Sequence, residues 1–270
     1  MWGSSEDDRA VRARLVAMLL AGGATGIPAN EGKVIALLER SGVFLARGVV
    51  VGTLAFRAYA NMLGVVWHRE LQTRDIDLAS DHRFPIVIPR KSKPVQLAEI
   101  LLSSGMGFLE VPALNRKSPS TKFRIRGEDL SVELLTPMRG RDTSRPIEIA
   151  WLGAYAEPVR FIDYLLDDIQ PAVLLYKHGV LINVPAPGRF AFPKLVVSQR
   201  RRSSDHEKIK RDLAQAEQLF SVLVDGSPGD LILAYEATEK MGQKFQAQLS
   251  SGLTLIAREI HELIENVIGI

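Results

Sequence analysis

The sequence predicts an α/β fold of the α+β kind: a mixed β-sheet flanked by helices, with a helical C-terminal region. Three observations predict it. The apolar run Val43 to Val51 enters Gly52-Thr53 and passes at once into a helical pattern, Leu54 to Leu63, the order of a strand, a tight turn and a helix. Short strand-like segments recur from Asp75 to Val184, separated by polar turns. Beyond Pro185-Ala186-Pro187-Gly188, apolar residues fall at helical spacing almost to the last residue.

Taken in order, residues 7–21 set Val11, Leu15, Met18 and Leu19 at helical spacing, and residues 31–40 do the same with Val34, Leu37 and Leu38 until Gly42 stops the pattern. These form an N-terminal helical region, 1–42. A central domain, 43–189, opens with the Val43–Val51 strand and the Leu54–Leu63 helix and continues with a strand over 75–79 and a helix over 94–104. The runs 122–126 and 130–135 flank Gly127-Glu128-Asp129 as a hairpin. Further strands are expected over 147–151, 172–176 and 180–184, the last two joined by Lys177-His178-Gly179. The C-terminal region, 190–270, reads as helices over 190–202, 205–224, 228–241 and 247–268. Asp205 is the expected N-cap of the second, and Gly226-Ser227-Pro228-Gly229 its break. The last carries Leu253, Ile256, Ile260, Leu263, Ile264 and Val267 on one stripe, expected to pack internally.

With 270 residues, 46% of them hydrophobic, the chain can bury a substantial core. The net charge is +3 and the pI about 9.1, so attraction to nucleic acid has to come from local clusters of Lys and Arg. Such clusters stand at Arg90-Lys91-Ser92-Lys93, Arg124-x-Arg126, Arg200-Arg201-Arg202 and Lys208-Ile209-Lys210-Arg211, with little aromatic interleaving for base stacking. The sequence contains no cysteine, which excludes disulfides, thiolate zinc sites and cysteine nucleophiles and fits a cytoplasmic protein. No apolar run approaches the roughly 18 residues of a membrane span, so no membrane association is expected. In Gly26 to Val34 a P-loop fails, because one residue too many separates the glycines and Val34 replaces the Mg²⁺-binding hydroxyl. His206-Glu207 and His261-Glu262 lack the second histidine of a zinc-protease helix, and His68, His82 and His178 fall in loop contexts.

Chemistry concentrates elsewhere. Gly52 lets backbone approach a ligand, and the helix behind it brings first-turn N–H groups suited to phosphate oxygens. Asp75 and Asp77 flank Ile76, and residues two apart in a strand share a face, so both carboxylates project together and invite a divalent cation. A third acid, Glu133, lies in the strand-like run Leu130-Ser131-Val132-Glu133-Leu134-Leu135. Its structural reading is the polar face of an alternating strand; its functional reading is a third metal ligand beside the Asp pair.

These segments resemble the DNA polymerase β-type nucleotidyltransferase superfamily. The phrases Val51-Gly52-Thr53-Leu54-Ala55-Phe56, Thr73-Arg74-Asp75-Ile76-Asp77-Leu78 and Phe190-Ala191-Phe192-Pro193-Lys194-Leu195 resemble a bacterial nucleotidyltransferase-like group, distantly related to abortive-infection (type IV toxin) nucleotidyltransferases. The resemblance covers roughly residues 45 to 220. Gly52-Thr53 stands where Gly-Ser or Gly-Gly is usual, and Glu133 where Asp is usual. The resemblance implies a nucleotidyltransferase fold in which Asp75, Asp77 and Glu133 hold Mg²⁺ or Mn²⁺. It also implies that Gly52, Thr53 and Lys194 bind the nucleotide phosphates, with Lys210 and Asp212 on the next helix as further nucleotide contacts.

The activity expected is metal-dependent transfer of an NMP from an NTP to an acceptor hydroxyl, with release of pyrophosphate. The toxin-type relatives make RNA, tRNA in particular, the first acceptor, contacted by Arg200, Arg201, Arg202 and Lys208, and a cognate antitoxin a further partner. Transfer to a protein or small molecule is a second reading. A non-catalytic nucleotide- or RNA-binding module that kept the fold is a third; clustered carboxylates repel unless a cation is bound, which argues against it.

Overall fold

The helical spacing near the N-terminus folds as α1 (Glu6–Ala21) and α2 (Ala29–Arg40). Of the two, α2 buries Val34 and Leu38 as its pattern predicts, but Ile35 is fully buried while the expected Leu37 is only half-buried. In α1 the stripe Val11, Leu15, Met18 and Leu19 stays exposed and Val16 goes inside instead. Leu15 and Leu19 line an open groove of about 860 Å³ with Met62, Val66, Val173 and Leu181. The computed structural model describes residues 6–67, 75–83, 94–113, 115, 117–201 and 203–269. It divides into two units, one ending at Val184 and one running from Pro185 onward.

Among the described residues of the first unit, seven strands form one sheet: β1 (Val49–Val51), β2 (Asp75–Ala79), β3 (Phe108–Glu110), β4 (Lys122–Ile125), β5 (Ser131–Pro137), β6 (Ile147–Ile149) and β7 (Ala154–Val159). β1 runs antiparallel to β2, β2 parallel to β5, and β5 antiparallel to β4, which pairs with β3. The β4–β5 hairpin is the one expected from the sequence. Past Glu133 one edge of β5 changes partner: Lys122 of β4 pairs with Glu133, whereas Glu157 of β7 pairs with Leu135. β6 then pairs with β7, and β8 (Ile169–Leu174) and β9 (Val180–Pro185) form a separate sheet.

The two faces of the central strands differ. Ile76, Leu78, Val132 and Leu134 alternate inward and are fully buried, each contributing about 1.5–3 kcal/mol by removal of its side chain from water. On the other face, Val49, Val51 and Ala79 pack against Ile162 and Leu166 of the short helix α5 (Ile162–Leu166), which leaves the start of β2 uncovered by that cluster. The helices α3 (Gly52–Leu63) and α4 (Leu97–Ser103) complete the unit.

Two local expectations in this unit differ from the structure. Residues 43–47 form a turn rather than the first half of a strand: Gly48 N–H bonds back to the Val43 carbonyl at 2.8 Å, and Arg47 takes a positive φ of 59°. Val43 is buried by that turn, which explains why its hydrophobicity mimics a strand. The strand Ala154–Val159 was not expected, because its inward positions are Ala154, Ala156 and Pro158, which carry little strand signal.

The second unit is helical: α6 (Pro187–Arg200), α7 (His206–Gly226), α8 (Pro228–Thr238), α9 (Gln243–Leu253) and α10 (Arg258–Ile268). Pro187 occupies the first turn of α6, where a missing N–H costs nothing. α7 buries Asp212, Gln215, Ala216, Leu219, Phe220, Leu223 and Val224, an inward stripe at three- and four-residue steps that contains a carboxylate. Asp205 stands at the N-cap of α7 as expected, but its side chain makes no cap hydrogen bond; residues 203–205 wind as a 3₁₀ turn. The single helix expected over 247–268 is two, so Leu253 and Ile256 do not share a helical stripe with Ile260, Leu263, Ile264 and Val267. A tertiary bond holds the break, since Ala257 donates its N–H to Glu217 Oε1 on α7 at 2.8 Å.

Candidate active site

The site is built from the polar ends of adjacent strands. Asp75 and Asp77 lie on one face of β2, with Ile76 buried behind them. Because β2 and β5 are parallel, Asp75 stands opposite Ser131 and Asp77 opposite Glu133. The antiparallel hairpin then sets Lys122 opposite Glu133 from the far side. Partners in register project to the same face, so an ammonium, a hydroxyl and carboxylates converge from neighbouring strands.

The contacts are direct. Ser131 Oγ donates to Asp75 Oδ1 at 2.5 Å. Lys122 Nζ donates to the same Asp75 oxygen at 3.0 Å and to Glu133 Oε2 at 3.3 Å. Burial opposes the charge on Lys122, but Glu133 and Asp75 outweigh it and raise the ammonium's pKa above the usual lysine value. Glu157, brought alongside where β5 changes partner, is raised first by burial and then by the nearby Glu133 carboxylate; Lys122 acts in the opposite direction.

Gly52 completes the site from the side of β1. Val51 pairs with Asp77, so α3 begins beside that carboxylate. A β-carbon at Gly52 would overlap Asp77 Oδ2, and the residue also takes φ 66°, which an L side chain adopts only with strain. Both facts demand glycine, and both bring the first turn of a 12-residue helix against an acidic strand. Thr53 is buried in that first turn.

The donor set consists of carboxylate oxygens, the chemistry suited to a hard divalent cation such as Mg²⁺ or Mn²⁺. As the side chains lie, no three Asp, Glu or His groups among the described residues are arranged as a metal-holding cluster. A nitrogen cation stands between Asp75 and Glu133 instead. The residues fit a metal by ligand type, strand register and attraction for a cation.

The other sequence-derived candidates fall in the second unit. Lys194 on α6 donates to Asp212 Oδ1 at 2.8 Å, and its ammonium also lies 4.9 Å from the Phe190 ring centre. Arg201 Nε donates to the other oxygen, Asp212 Oδ2, at 2.6 Å. Burial would raise the Asp212 pKa, but Lys194 and Arg201 outweigh it and hold the carboxyl below the usual range. Arg200, Lys208 and Lys210 are exposed. Arg202, the Arg90-Lys91-Ser92-Lys93 cluster, Thr73-Arg74 and His68 lie outside the described residues.

Lys122, Ser131 and Glu157 were not singled out from the sequence. A hairpin turning at Gly127-Glu128-Asp129 with Ile125 opposite Leu130 puts residue 122 opposite 133 by counting, so Lys122 was accessible to register arithmetic. Glu157 had no comparable signal, since its strand was unread.

Residues 29–239 match a family described as Nucleotidyltransferase. Comparison with curated protein sequences returned no match. Among solved structures, an antigenic nucleotidyltransferase-like protein from Paracoccidioides brasiliensis is similar at 14% identity and a TM-score of 0.46, over 97% of this chain and 94% of that one.

Proposed function

The chain belongs to the nucleotidyltransferase family, and from that premise we propose that it transfers an NMP from an NTP to an acceptor hydroxyl, with a divalent cation held by Asp75, Asp77 and Glu133. The observation carrying this reading is the convergence of those carboxylates on one sheet face, beside the glycine that opens α3. When bound, Mg²⁺ or Mn²⁺ lowers the acceptor hydroxyl's pKa and offsets the charge of the departing pyrophosphate.

The chain's own residues supply the rest. The first turn of α3, with Gly52 and Thr53, receives phosphate oxygens through backbone N–H groups and the Thr53 hydroxyl. The acceptor oxygen attacks the α-phosphorus in line; the new O–P bond forms as the bond to the bridging oxygen of pyrophosphate breaks. Glu133 takes the acceptor proton. Lys122, on the same face, supplies positive charge where phosphate charge accumulates.

RNA, tRNA in particular, is the acceptor we propose. Arg200, Lys208 and Lys210, exposed around the α6–α7 junction, support a polyanion more than a small alcohol. Arg201 is less suited to that role, because Asp212 already holds it.

The test is transfer of label from each α-³²P NTP to total cellular RNA and protein with Mg²⁺ or Mn²⁺. Wild type should label RNA, and Asp75→Ala/Asp77→Ala should lower the rate by about 10³-fold or more. Label entering protein instead would move the acceptor. Nucleotide binding without any transfer by wild type would favour the non-catalytic module. If RNA is the acceptor, Arg200→Glu/Lys208→Glu/Lys210→Glu should weaken RNA binding and flatten its salt dependence.

A further inference from the structure

Asp75, Asp77, Glu133 and Glu157 crowd one sheet face, and Lys122 reaches into it from β4. Its ammonium joins carboxylates from two different strands, 3.0 Å from Asp75 and 3.3 Å from Glu133. Those are two of the three groups assigned above to the divalent ion. A carboxylate oxygen oriented on an ammonium at hydrogen-bond distance is not simultaneously oriented on a second cation placed to bind both groups, and two cations so close repel.

We propose that Lys122 is the resident cation of this site: a divalent ion takes Asp75 and Glu133 only by displacing the lysine, so Lys122 sets the site's metal affinity. The inference rests on the reading of Asp75 and Glu133 as metal ligands. Lysine suits the task, since its charge sits on a flexible four-carbon stem that swings aside without moving the strand. The side chain is 32% exposed, which leaves it room to do so. While no divalent ion is bound, the lysine offsets repulsion that would otherwise push the carboxylates apart. Coupled exchange follows: each ion that enters releases an ammonium onto the face that receives the triphosphate.

The 270-residue chain tests this by Mn²⁺ titration, read by electron paramagnetic resonance of the free ion, without nucleotide and independently of activity. Lys122→Met keeps most of the stem and removes the charge, and should bind Mn²⁺ about tenfold more tightly than wild type. Lys122→Arg, which keeps a cation, should bind no more tightly than wild type. Asp75→Asn should lose binding in either background. Thermal unfolding gives a second readout, in which Mg²⁺ should raise the melting temperature of Lys122→Met more than that of wild type. Should Lys122→Met fold poorly, Lys122→Gln carries the same expectation. Equal or weaker Mn²⁺ binding by the neutral variants, with Asp75→Asn still abolishing it, overturns the inference and leaves the metal reading standing. Absence of Mn²⁺ binding in wild type and neutral variants alike overturns both.

Discussion

The chain contains two clusters in which lysine meets aspartate, and they are balanced in opposite senses. On α6 and α7 a single carboxylate, Asp212, is 1% exposed and receives both Lys194 and Arg201. On the sheet, Lys122 is shared by Asp75 and Glu133, with Asp77 and Glu157 on the same face, and Asp75 is 45% exposed. The helical cluster is closed: its carboxylate is buried on the inward stripe of α7, where an unpaired charge would be costly, and its charge is met on both oxygens. The sheet cluster is more open, and among the described residues its carboxylates outnumber the ammonium that bridges two of them. The same residue types therefore serve cohesion in one place and, in the function proposed above, ligand capture in the other, and burial with charge balance, rather than residue identity, distinguishes the two clusters.

The largest expected effect would break the comparison at the closed cluster. Asp212→Ala strands two cations and should cost about 3 kcal/mol, read from urea unfolding midpoints. Asp75→Asn should cost less than about 1 kcal/mol, because the group is solvent-screened and its removal relieves repulsion. Equal losses for the two would mean that the sheet cluster, too, is structural. Next in size, Gly52→Ala has to hold a side chain at positive φ against the Asp77 carboxylate and should cost about 1–2 kcal/mol, with lowered Mn²⁺ affinity as the mark of a displaced Asp77.

The smallest effect sharpens the contrast through pH. Asp212 titrates lower in the folded than in the unfolded chain, so its contribution is present above the unfolded value near 3.8 and disappears as pH falls through the depressed folded value. Glu157 is displaced upward from 4.5, so its contribution is present below that value and lost as pH rises through the raised one. In urea midpoints measured across pH, Asp212→Asn should flatten the acid limb, and Glu157→Gln should flatten the decline on the other side. An unchanged acid limb in Asp212→Asn would remove the helical cluster from the stability balance.

How much of this could be read in the sequence follows from the range of the forces involved. Asp75-Ile76-Asp77 and Gly52-Thr53 were legible because strand alternation and the strand-to-helix turn are local. Glu133 was legible because a hairpin with a clear turn delivers it. Lys122 needed one further step, counting the hairpin's register. Glu157 was hidden, because β7 turns Ala154, Ala156 and Pro158 inward and is held by pairing with β5 and β6 rather than by its own propensity. The break between α9 and α10 was hidden for a related reason, since Glu217, 40 residues earlier, holds the amide of Ala257. The Asp212 position was read as a nucleotide contact by likeness to a family; its burial between two cations is a tertiary fact that no local pattern displays.

The change of partner along β5 also bears on how this chain can be engineered. Glu133 is aligned by β2 on one side and β4 on the other, while β5 beyond Leu135 is anchored by β7. The mostly exposed stretch 138–146 joins two segments that are each fixed independently. Its length is thereby uncoupled from the carboxylate's position. A fluorophore tag, a protease site or a pair of permuted termini grafted there has a scaffold that holds the acidic face in alignment on its own.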